Sequence, residues 1–193
     1  MRVVVVDEYG FDAALFGLGL SHGVTSGKSV IHFENNILSS EYKKMEEVAI
    51  KLANKDGGHN KFLRQISVWL DITAPMYWWK EFDTYKVATT AQSESTMHTL
   101  LKNPITQECF EHPISEATLG RLEGLRLAKD FYKLVNELPQ GWLQRRIVSC
   151  NYAVLRNVIN QRRGHKLPEW EVFIDSVING VEYPALLQGN EGR

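Results

Sequence analysis

One segment of the chain alternates strictly between aliphatic side chains and a second set that is polar except for Trp69, and this pattern constrains the fold more than any other. Ile66, Val68, Leu70 and Ile72 alternate with Gln65, Ser67, Trp69 and Asp71. Successive side chains of a strand point to opposite faces of a sheet, so the alternation predicts a half-buried strand. The run of four valines at residues 3–6 predicts a buried first strand.

Helical patterns lie between and after these strands. The expected helices cover residues 41–54, 75–85, 115–135, 151–163 and 169–177. Ser39 and Ser40 are both candidate N-caps of the first helix, and Pro75 suits the first turn of the second. Residues 27–34 are a further candidate strand, and the Ser/Thr-rich residues 89–98 are expected to form a loop. Strands that intermix with long helices indicate the α/β (α+β) class with a mixed sheet.

The bulk properties set limits on the kind of protein. A length of 193 residues predicts a single domain over residues 1–193. The net charge of -1 argues against nucleic-acid binding by bulk electrostatics, and no apolar run approaches the roughly 20 residues of a membrane span. Cys109 and Cys150 are expected to be reduced core thiols of a cytoplasmic protein. Cys109 and His112 lack a second pair at ligand spacing, so no metal site is predicted.

The predicted helix 151–163 brings two polar side chains onto an apolar face. Positions 151, 155, 158 and 162 share one side of a helix, and they hold Asn151, Leu155, Val158 and Arg162. A guanidinium beside core aliphatic side chains needs a carboxylate partner, a route to solvent or an anionic ligand. On these residues alone, a structural ion pair is the commoner arrangement, and a ligand site is the alternative.

A second candidate site follows the paired tryptophans Trp78 and Trp79. Further polar side chains come after them in the chain: Lys86, Thr89, Thr90, Gln92, Ser93, Ser95 and His98. Such groups bind phosphate oxygens, and Trp78, Trp79 or Tyr85 would stack on a flat ring, so the segment is a candidate nucleotide pocket. The alternative is a loop of solvated hydroxyls behind two core tryptophans. No Walker, dinucleotide-binding, nucleophile-elbow or zinc motif is present, and no catalytic residue is identified.

The spacing around these segments matches a longer motif. That motif reads His-x-Ser-Pro-Phe-Glu, then a strand ending in Pro, then Gln-x-x-Arg-His-Arg-x-x-Ser-x-Asn-Glu-x-Ser-x-Arg-Tyr. His59 and Pro75 fall in register, Arg64 stands at the first Glu, Glu81 stands at the Gln, and Thr84-Tyr85-Lys86 replaces Arg-His-Arg. Thr89, Gln92 and Ser95 fall at or next to the later Ser, Glu and Ser positions. In this spacing the chain resembles the flavin-dependent thymidylate synthases.

The C-terminal half carries the resemblance further. Leu138-Pro139, Asn151 and Arg162 match a Leu-Pro, an Asn and an Arg of the family in register. The resemblance implies that Asn151 lies by the flavin and Arg162 by the nucleotide base, with FAD as the cofactor. Lys86 is the one cation kept from Arg-His-Arg, whose charge-assisted contacts contribute about 1.5–3 kcal/mol each. This loss argues against FAD bound in the family's way.

Together, the residues and the resemblance give a candidate nucleotide or cofactor site. Its members are Arg162, Asn151, Lys86, Tyr85, Thr89, Gln92, Ser93, Ser95, His59 and Trp79. The resemblance also implies a homotetramer with pockets at subunit interfaces, and the degenerate motif resembles that of phage proteins.

Three functional hypotheses follow from this site. The leading one is a nucleotide-binding protein that sequesters a nucleotide or a signalling nucleotide. One alternative is an active synthase-like enzyme that transfers a methyl or hydroxymethyl group to a pyrimidine deoxynucleotide. The other is a structural subunit with a vestigial site, because a fold does not fix a function.

Overall fold

A four-stranded sheet forms the centre of the computed structural model, which describes residues 1–37, 39–55 and 58–188. Its strands are β1 (Arg2–Tyr9), β2 (Ser67–Pro75), β3 (Thr90–Ser93) and β4 (Leu143–Asn151), in the spatial order β1-β2-β4-β3. The predicted α+β class is confirmed, although every described strand pair is antiparallel and the sheet is therefore not mixed. The two central strands pair along their whole length, from Ser67 opposite Asn151 to Pro75 opposite Leu143.

Helices occupy most of the remaining chain. They are α1 (Phe11–Ser21), α2 (Val30–Glu34), α3 (Ser40–Ala53), α4 (Met76–Phe82), α5 (Thr96–Thr99), α6 (Glu116–Leu127), α7 (Phe131–Glu137), α8 (Tyr152–Arg162) and α9 (Glu169–Gly180). Short 3₁₀ helices cover Lys61–Gln65, Gln107–Cys109 and Pro184–Leu186. The predictions of α3, α4, α8 and α9 are confirmed. Of the two candidate caps of α3, Ser39 is the N-cap and accepts from the Tyr42 N–H at 3.1 Å, whereas Ser40 is the first residue of the helix. None of the described helices is long and apolar enough to cross a membrane.

Three other predicted elements are wrong. Residues 27–34 contain the helix α2 rather than a strand, because a short apolar run does not distinguish the two. The predicted loop 89–98 contains β3 and α5. The predicted helix 115–135 is two helices, α6 and α7, and the chain turns between them at Lys129, whose φ is 55°. Asp130 then caps α7, since an Asp side chain competes for backbone N–H groups.

The sequence pattern did not predict β4 because one of its inward positions carries a charge. Arg146 is buried on the inner face, where its guanidinium lies 4.1 Å from the ring centroid of Trp79. Its Nη1 also lies 2.7 Å from Oδ1 of Asp83. A buried cation becomes tolerable when it is paired in this way, yet it conceals the apolar alternation of the strand. The helix α1 was not predicted either.

The core lies on one face of the sheet. Val68, Leu70 and Ile72 of β2 are fully buried against the helices, which confirms the predicted alternation. On the opposite face, Val4 and Trp69 are exposed to solvent. Val6 is exposed as well, so the prediction of a strand at residues 3–6 is confirmed but the prediction that it is buried is wrong. A second, smaller hydrophobic cluster lies around α6 and α7 and consists of the buried residues Leu100, Ile105, Phe110, Leu122 and Leu134.

Candidate functional site

Three segments of the chain meet at one end of the sheet because of the strand pairing. β4 ends at Asn151 opposite the first residue of β2, so α8 begins beside the 3₁₀ helix Lys61–Gln65 that precedes β2. The Tyr152 N–H donates to the Ile66 carbonyl at 3.0 Å and fixes this approach. β3 also pairs with β4, so residues 84–88, which lead into β3, reach the same end of the sheet.

The three segments enclose an open cleft of about 510 Å³. Its lining includes Arg64, Tyr85, Lys86, Asn151, Val154 and Asn157. Neither Arg64 nor Lys86 forms an ion pair with any described residue, and the described lining includes no carboxylate. Two uncompensated cations in a concave surface produce a positive potential that attracts anions.

Two amide side chains add hydrogen-bond donors to the cleft. Asn151 caps α8, with its Oδ1 accepting from the Val154 N–H at 3.0 Å. Asn157 accepts from Nε2 of Gln161 at 3.0 Å through its own Oδ1. Each amide therefore uses its oxygen inside the protein, and its NH₂ group has no partner among the described residues. These donors suit phosphate oxygens or the carbonyl oxygens of a base.

Arg162 supports the wall of this cleft and does not line it. Its Nη1 lies 2.8 Å from Oε2 of Glu81, and its guanidinium lies 4.6 Å from the ring centroid of Trp170. Its Nε donates to the Tyr85 hydroxyl at 2.8 Å, and that hydroxyl donates to Oε1 of Gln161 at 3.0 Å. The expected ligand contact is thus replaced by the structural ion pair, and the network orients Tyr85 and, through Gln161, the cleft amide of Asn157.

The paired tryptophans belong to the core. Trp78 and Trp79 have no exposed surface, and Nε1 of Trp79 donates to the carbonyl of Gln144 at 3.0 Å. The prediction that Trp79 stacks on a ligand is therefore wrong, and the alternative of two core tryptophans holds. Tyr85 is partly exposed and lines the cleft, so it is the aromatic side chain of this segment that is open to a ligand.

The remaining polar side chains of this segment follow the strand away from the cleft. Gln92 pairs with a residue in the middle of β4 that lies four positions before Asn151. At a rise of about 3.4 Å per residue, this position is about 14 Å from Asn151 along the strand. Ser93 and Ser95 lie further along the chain, and Ser95 precedes α5. Thr89 stays next to the segment that lines the cleft, and its buried Oγ1 has no hydrogen-bond partner in the described chain.

His59 lines a cavity other than the cleft. Two residues that were not among the predicted site residues, Arg64 and Asn157, do line the cleft. Arg64 was visible in the sequence only as a charge reversal at the family's Glu position. Asn157 gave no sequence signal, because it lies off the helix face that Asn151 and Arg162 were predicted to share. The predicted residues that line the cleft are Tyr85, Lys86 and Asn151.

Neither cysteine is among the described residues that line the cleft. Cys150 is buried, and burial raises the pKa of its thiol to about 12. Cys109 is half-buried, and its Sγ lies 3.8 Å from the Thr106 hydroxyl. Nε2 of His112 lies 3.7 Å from a carboxylate oxygen of Glu169. Within the described ranges, no three His, Cys, Asp or Glu side chains are grouped to hold a metal ion.

Comparison with solved structures identifies the fold. No protein-family model and no curated protein matches the sequence. Two structures of the flavin-dependent thymidylate synthase ThyX from Helicobacter pylori, complexed with FAD and dUMP, superpose with TM-scores of 0.74 and 0.76 at 15% identity, covering 97% of this chain and 98% of theirs. A UMP/dUMP methylase, PolB from Streptomyces cacaoi, bound with 5-Br dUMP, gives a TM-score of 0.69 at 13% identity over 96% of this chain and 92% of its own. The chain therefore has the fold of the flavin-dependent thymidylate synthases.

Proposed function

We propose that the protein binds a nucleotide in the cleft between the 3₁₀ helix Lys61–Gln65, residues 84–88 and the start of α8. The observation that carries this proposal is the pair of cations, Arg64 and Lys86, which face one cleft without a carboxylate partner among the described residues. Two cations that face one concave surface raise the local concentration of anions there. Phosphate is such an anion and accepts hydrogen bonds from both side chains.

The cleft also suits the uncharged part of a nucleotide. Its volume of about 510 Å³ lies within the range of about 300–1,000 Å³ that is usual for small-molecule sites. Val87 and Val154 give it apolar surface, and the free NH₂ groups of Asn151 and Asn157 would donate to a base or to phosphate oxygens. The neighbours of the same fold are described with dUMP and 5-Br dUMP bound, which favours a pyrimidine nucleotide as the first ligand to test.

Binding fits the cleft better than catalysis does. Among its described lining residues there is no carboxylate, imidazole or thiol to act as a general base or nucleophile. The proposed role is therefore sequestration of a nucleotide or a signalling nucleotide by a single-domain, homotetrameric protein. We further propose that the protein is encoded by a phage and sequesters the nucleotide in the cytoplasm.

Calorimetric titration with dUMP tests the proposal. We expect wild-type protein to bind, and both Arg64→Gln and Lys86→Gln to bind at least about tenfold more weakly, because each removes one charge-assisted contact. Lys80→Gln is the matched control, since Lys80 is exposed on α4 and outside the cleft. Equal affinity of all four proteins, or no binding of dUMP or any other nucleotide, would contradict the proposal; the latter result would favour a structural subunit.

A second candidate is a flavin-dependent transferase acting on a pyrimidine deoxynucleotide. The observation that favours it is that Asn151, which the resemblance places by the flavin, lines the same cleft as Lys86. Thr84 and Tyr85 in place of Arg and His, and an Arg162 already paired with Glu81, fit FAD poorly. Bound flavin would supply redox chemistry, and its yellow absorbance in the purified protein, or after incubation with FAD, would support this candidate. A protein that stays colourless would count against it.

A further inference from the structure

One residue in the wall of the cleft has a strained backbone. Ala88 lines the cleft and has a φ of 55°, in the left-handed region that favours glycine. In this region the Cβ of an L-amino acid comes too close to the following carbonyl oxygen. Strained backbone of this kind clusters at ligand clamps and switch regions, where the strain is part of the mechanism. Ala88 is therefore a candidate switch position.

The two residues on either side of Ala88 are also in unfavourable surroundings. Val87 lines the cleft, yet it is 86% exposed. The Oγ1 of Thr89 is buried and has no hydrogen-bond partner in the described chain. An exposed aliphatic side chain and a buried, unpaired hydroxyl both raise the free energy of a conformation. Three consecutive residues thus favour a rearrangement of the same short segment.

This segment is fixed at its two ends and unrestrained between them. At one end, Nε of Arg162 donates to the Tyr85 hydroxyl at 2.8 Å. At the other end, Thr90 is paired with Ser149 of β4. Within the described ranges, the N–H groups of the two central residues donate no hydrogen bond. Residues 86–89 can therefore move as a flap between two fixed points without breaking a hydrogen bond of those two groups.

We propose that residues 86–89 are a flap that closes over a nucleotide, and that Ala88 leaves the left-handed region as the flap closes. This inference rests on the proposed function, because the ligand is the nucleotide of the same cleft. Closing carries Lys86 toward the phosphate, brings Val87 against the apolar part of the ligand and gives the Thr89 hydroxyl a partner. Since the strain is present only in the open conformation, its release contributes to the affinity for the nucleotide.

Ala88→Gly tests the strain, because glycine adopts a positive φ without a steric penalty. We expect the melting temperature of the free protein to rise by about 2 °C and dUMP binding to weaken about fivefold, since less strain is released on closing. Ala88→Asn keeps a Cβ but tolerates the left-handed region, so it should shift both quantities in the same directions. This variant separates strain from loss of the alanine methyl group.

Lys129→Gly is the matched control. Lys129 also has a φ of 55°, but it lies between α6 and α7 and does not line the cleft. This variant should raise the melting temperature by a similar amount and leave the affinity for dUMP unchanged. A weaker dUMP affinity in Lys129→Gly would show that added stability alone explains the effect at Ala88, and would overturn the proposal.

Thr89→Val tests the hydroxyl. We expect the free protein to be at least as stable as wild type, because an unpaired buried hydroxyl is removed, and dUMP binding to weaken about fivefold. Thr25→Val is the contrasting control, since the Thr25 hydroxyl donates to the Phe16 carbonyl at 2.9 Å. It should lower the melting temperature and leave the affinity unchanged. Unaltered dUMP affinity in Thr89→Val would contradict the partner gained on closing.

Backbone scalar couplings in NMR spectra measure the φ of Ala88 directly, in wild-type protein with and without saturating dUMP. We expect a positive φ in the free protein and a negative φ in the complex. A positive φ in the complex, or equal dUMP affinity of wild type and Ala88→Gly, would overturn the flap and leave the proposed function in place. Failure of the wild type to bind dUMP or any other nucleotide would overturn both.

Discussion

At the scale of single residues, Arg162 has four partners that compete with any ligand. Its guanidinium contacts the Glu81 carboxylate, the Tyr85 hydroxyl, the ring of Trp170 and Nε2 of His165. Nε1 of Trp170 also donates to Oε2 of Glu81 at 3.0 Å, so the ion pair is tied into the core. An incoming phosphate would have to displace Glu81 before it reached Arg162. In this arrangement Arg162 holds the Tyr85 hydroxyl through its Nε.

Replacing Arg162 by alanine should destabilise the protein. We expect Arg162→Ala to lower the free energy of unfolding by about 1.5–3 kcal/mol, because it removes hydrogen bonds to a charged partner and leaves Glu81 without its cation. Arg163→Ala is the matched control, since Arg163 is exposed and should change the value by less than about 0.5 kcal/mol. Urea unfolding measures both. Equal stability of the two variants would contradict the structural role.

The sequence indicates part of the site because some of its residues are adjacent along the chain. Tyr85 and Lys86 reach the cleft together with Asn151, which the resemblance associates with them. Trp79 could not be assigned from sequence, since paired tryptophans suit a core and a ring-binding wall equally well. Arg64 and His59 are five residues apart yet line different cavities, because His59 precedes the 3₁₀ helix Lys61–Gln65 and Arg64 lies on it. That separation depends on the tertiary structure.

At the scale of secondary-structure elements, β2 was predictable and β4 was not, although the two pair along their whole length. The alternation in β2 is uninterrupted, whereas Arg146 occupies an inward position of β4. The break between α6 and α7 was missed for a related reason. Apolar spacing continues across Lys129 and Asp130, and only the cap at Asp130 marks the new helix.

The outer face of the sheet holds a cross-strand ion cluster. Asp71 of β2 is buried between Arg2 of β1 and Arg145 of β4, with Asp71 to Arg145 distances of 2.7 and 2.8 Å. The hydrogen bonds and positive charge of Arg145, with the charge of Arg2, lower the pKa of the Asp71 carboxyl. The cluster therefore stabilises the fold above the unfolded-state pKa of about 3.9. This contribution is lost as the pH falls through the lower folded-state pKa.

Asp71→Asn should thus destabilise the protein in a pH-dependent manner. We expect a loss of about 1–2 kcal/mol at pH 7, discounted because Arg145 is largely exposed to solvent, and a smaller difference from wild type near pH 2. Denaturant unfolding at both pH values provides the measurement. Asp175→Asn, on the exposed side of α9, serves as the control with little effect at either pH. A penalty that stays constant with pH would show that the charge of Asp71 contributes nothing.

At the scale of the whole molecule, two hydrophobic clusters are joined by short connections. The smaller one, around α6 and α7, is linked to the sheet through the bridge between Phe110 and Trp142, and Trp142 leads directly into β4. The Glu111 N–H also donates to the Gly141 carbonyl at 2.9 Å. A segment of about 40 residues rarely has a stable core by itself. The smaller cluster should therefore depend on the larger one.

This dependence predicts a single cooperative unfolding transition. Leu134→Ala, in the smaller cluster, should lower the global stability by about 2–5 kcal/mol, since Leu134 is fully buried. Hydrogen exchange of the β2 amides should report the same loss, because they exchange through the same global unfolding. If the β2 amides kept wild-type protection while α6 and α7 lost theirs, the chain would contain two unfolding units and the single-domain prediction would be wrong.

The buried tryptophans give the protein a built-in optical reporter. Trp78 and Trp170 have no exposed surface, and their ring centroids lie 4.6 Å apart. Tyr85, on the wall of the cleft, lies 6.3 Å from Trp170. Light absorbed by this tyrosine can pass to the indole beside it, and Trp78 and Trp170 emit from a buried environment. We therefore expect a ligand in the cleft to change the intrinsic fluorescence of the protein, without a label attached to the protein or to the ligand.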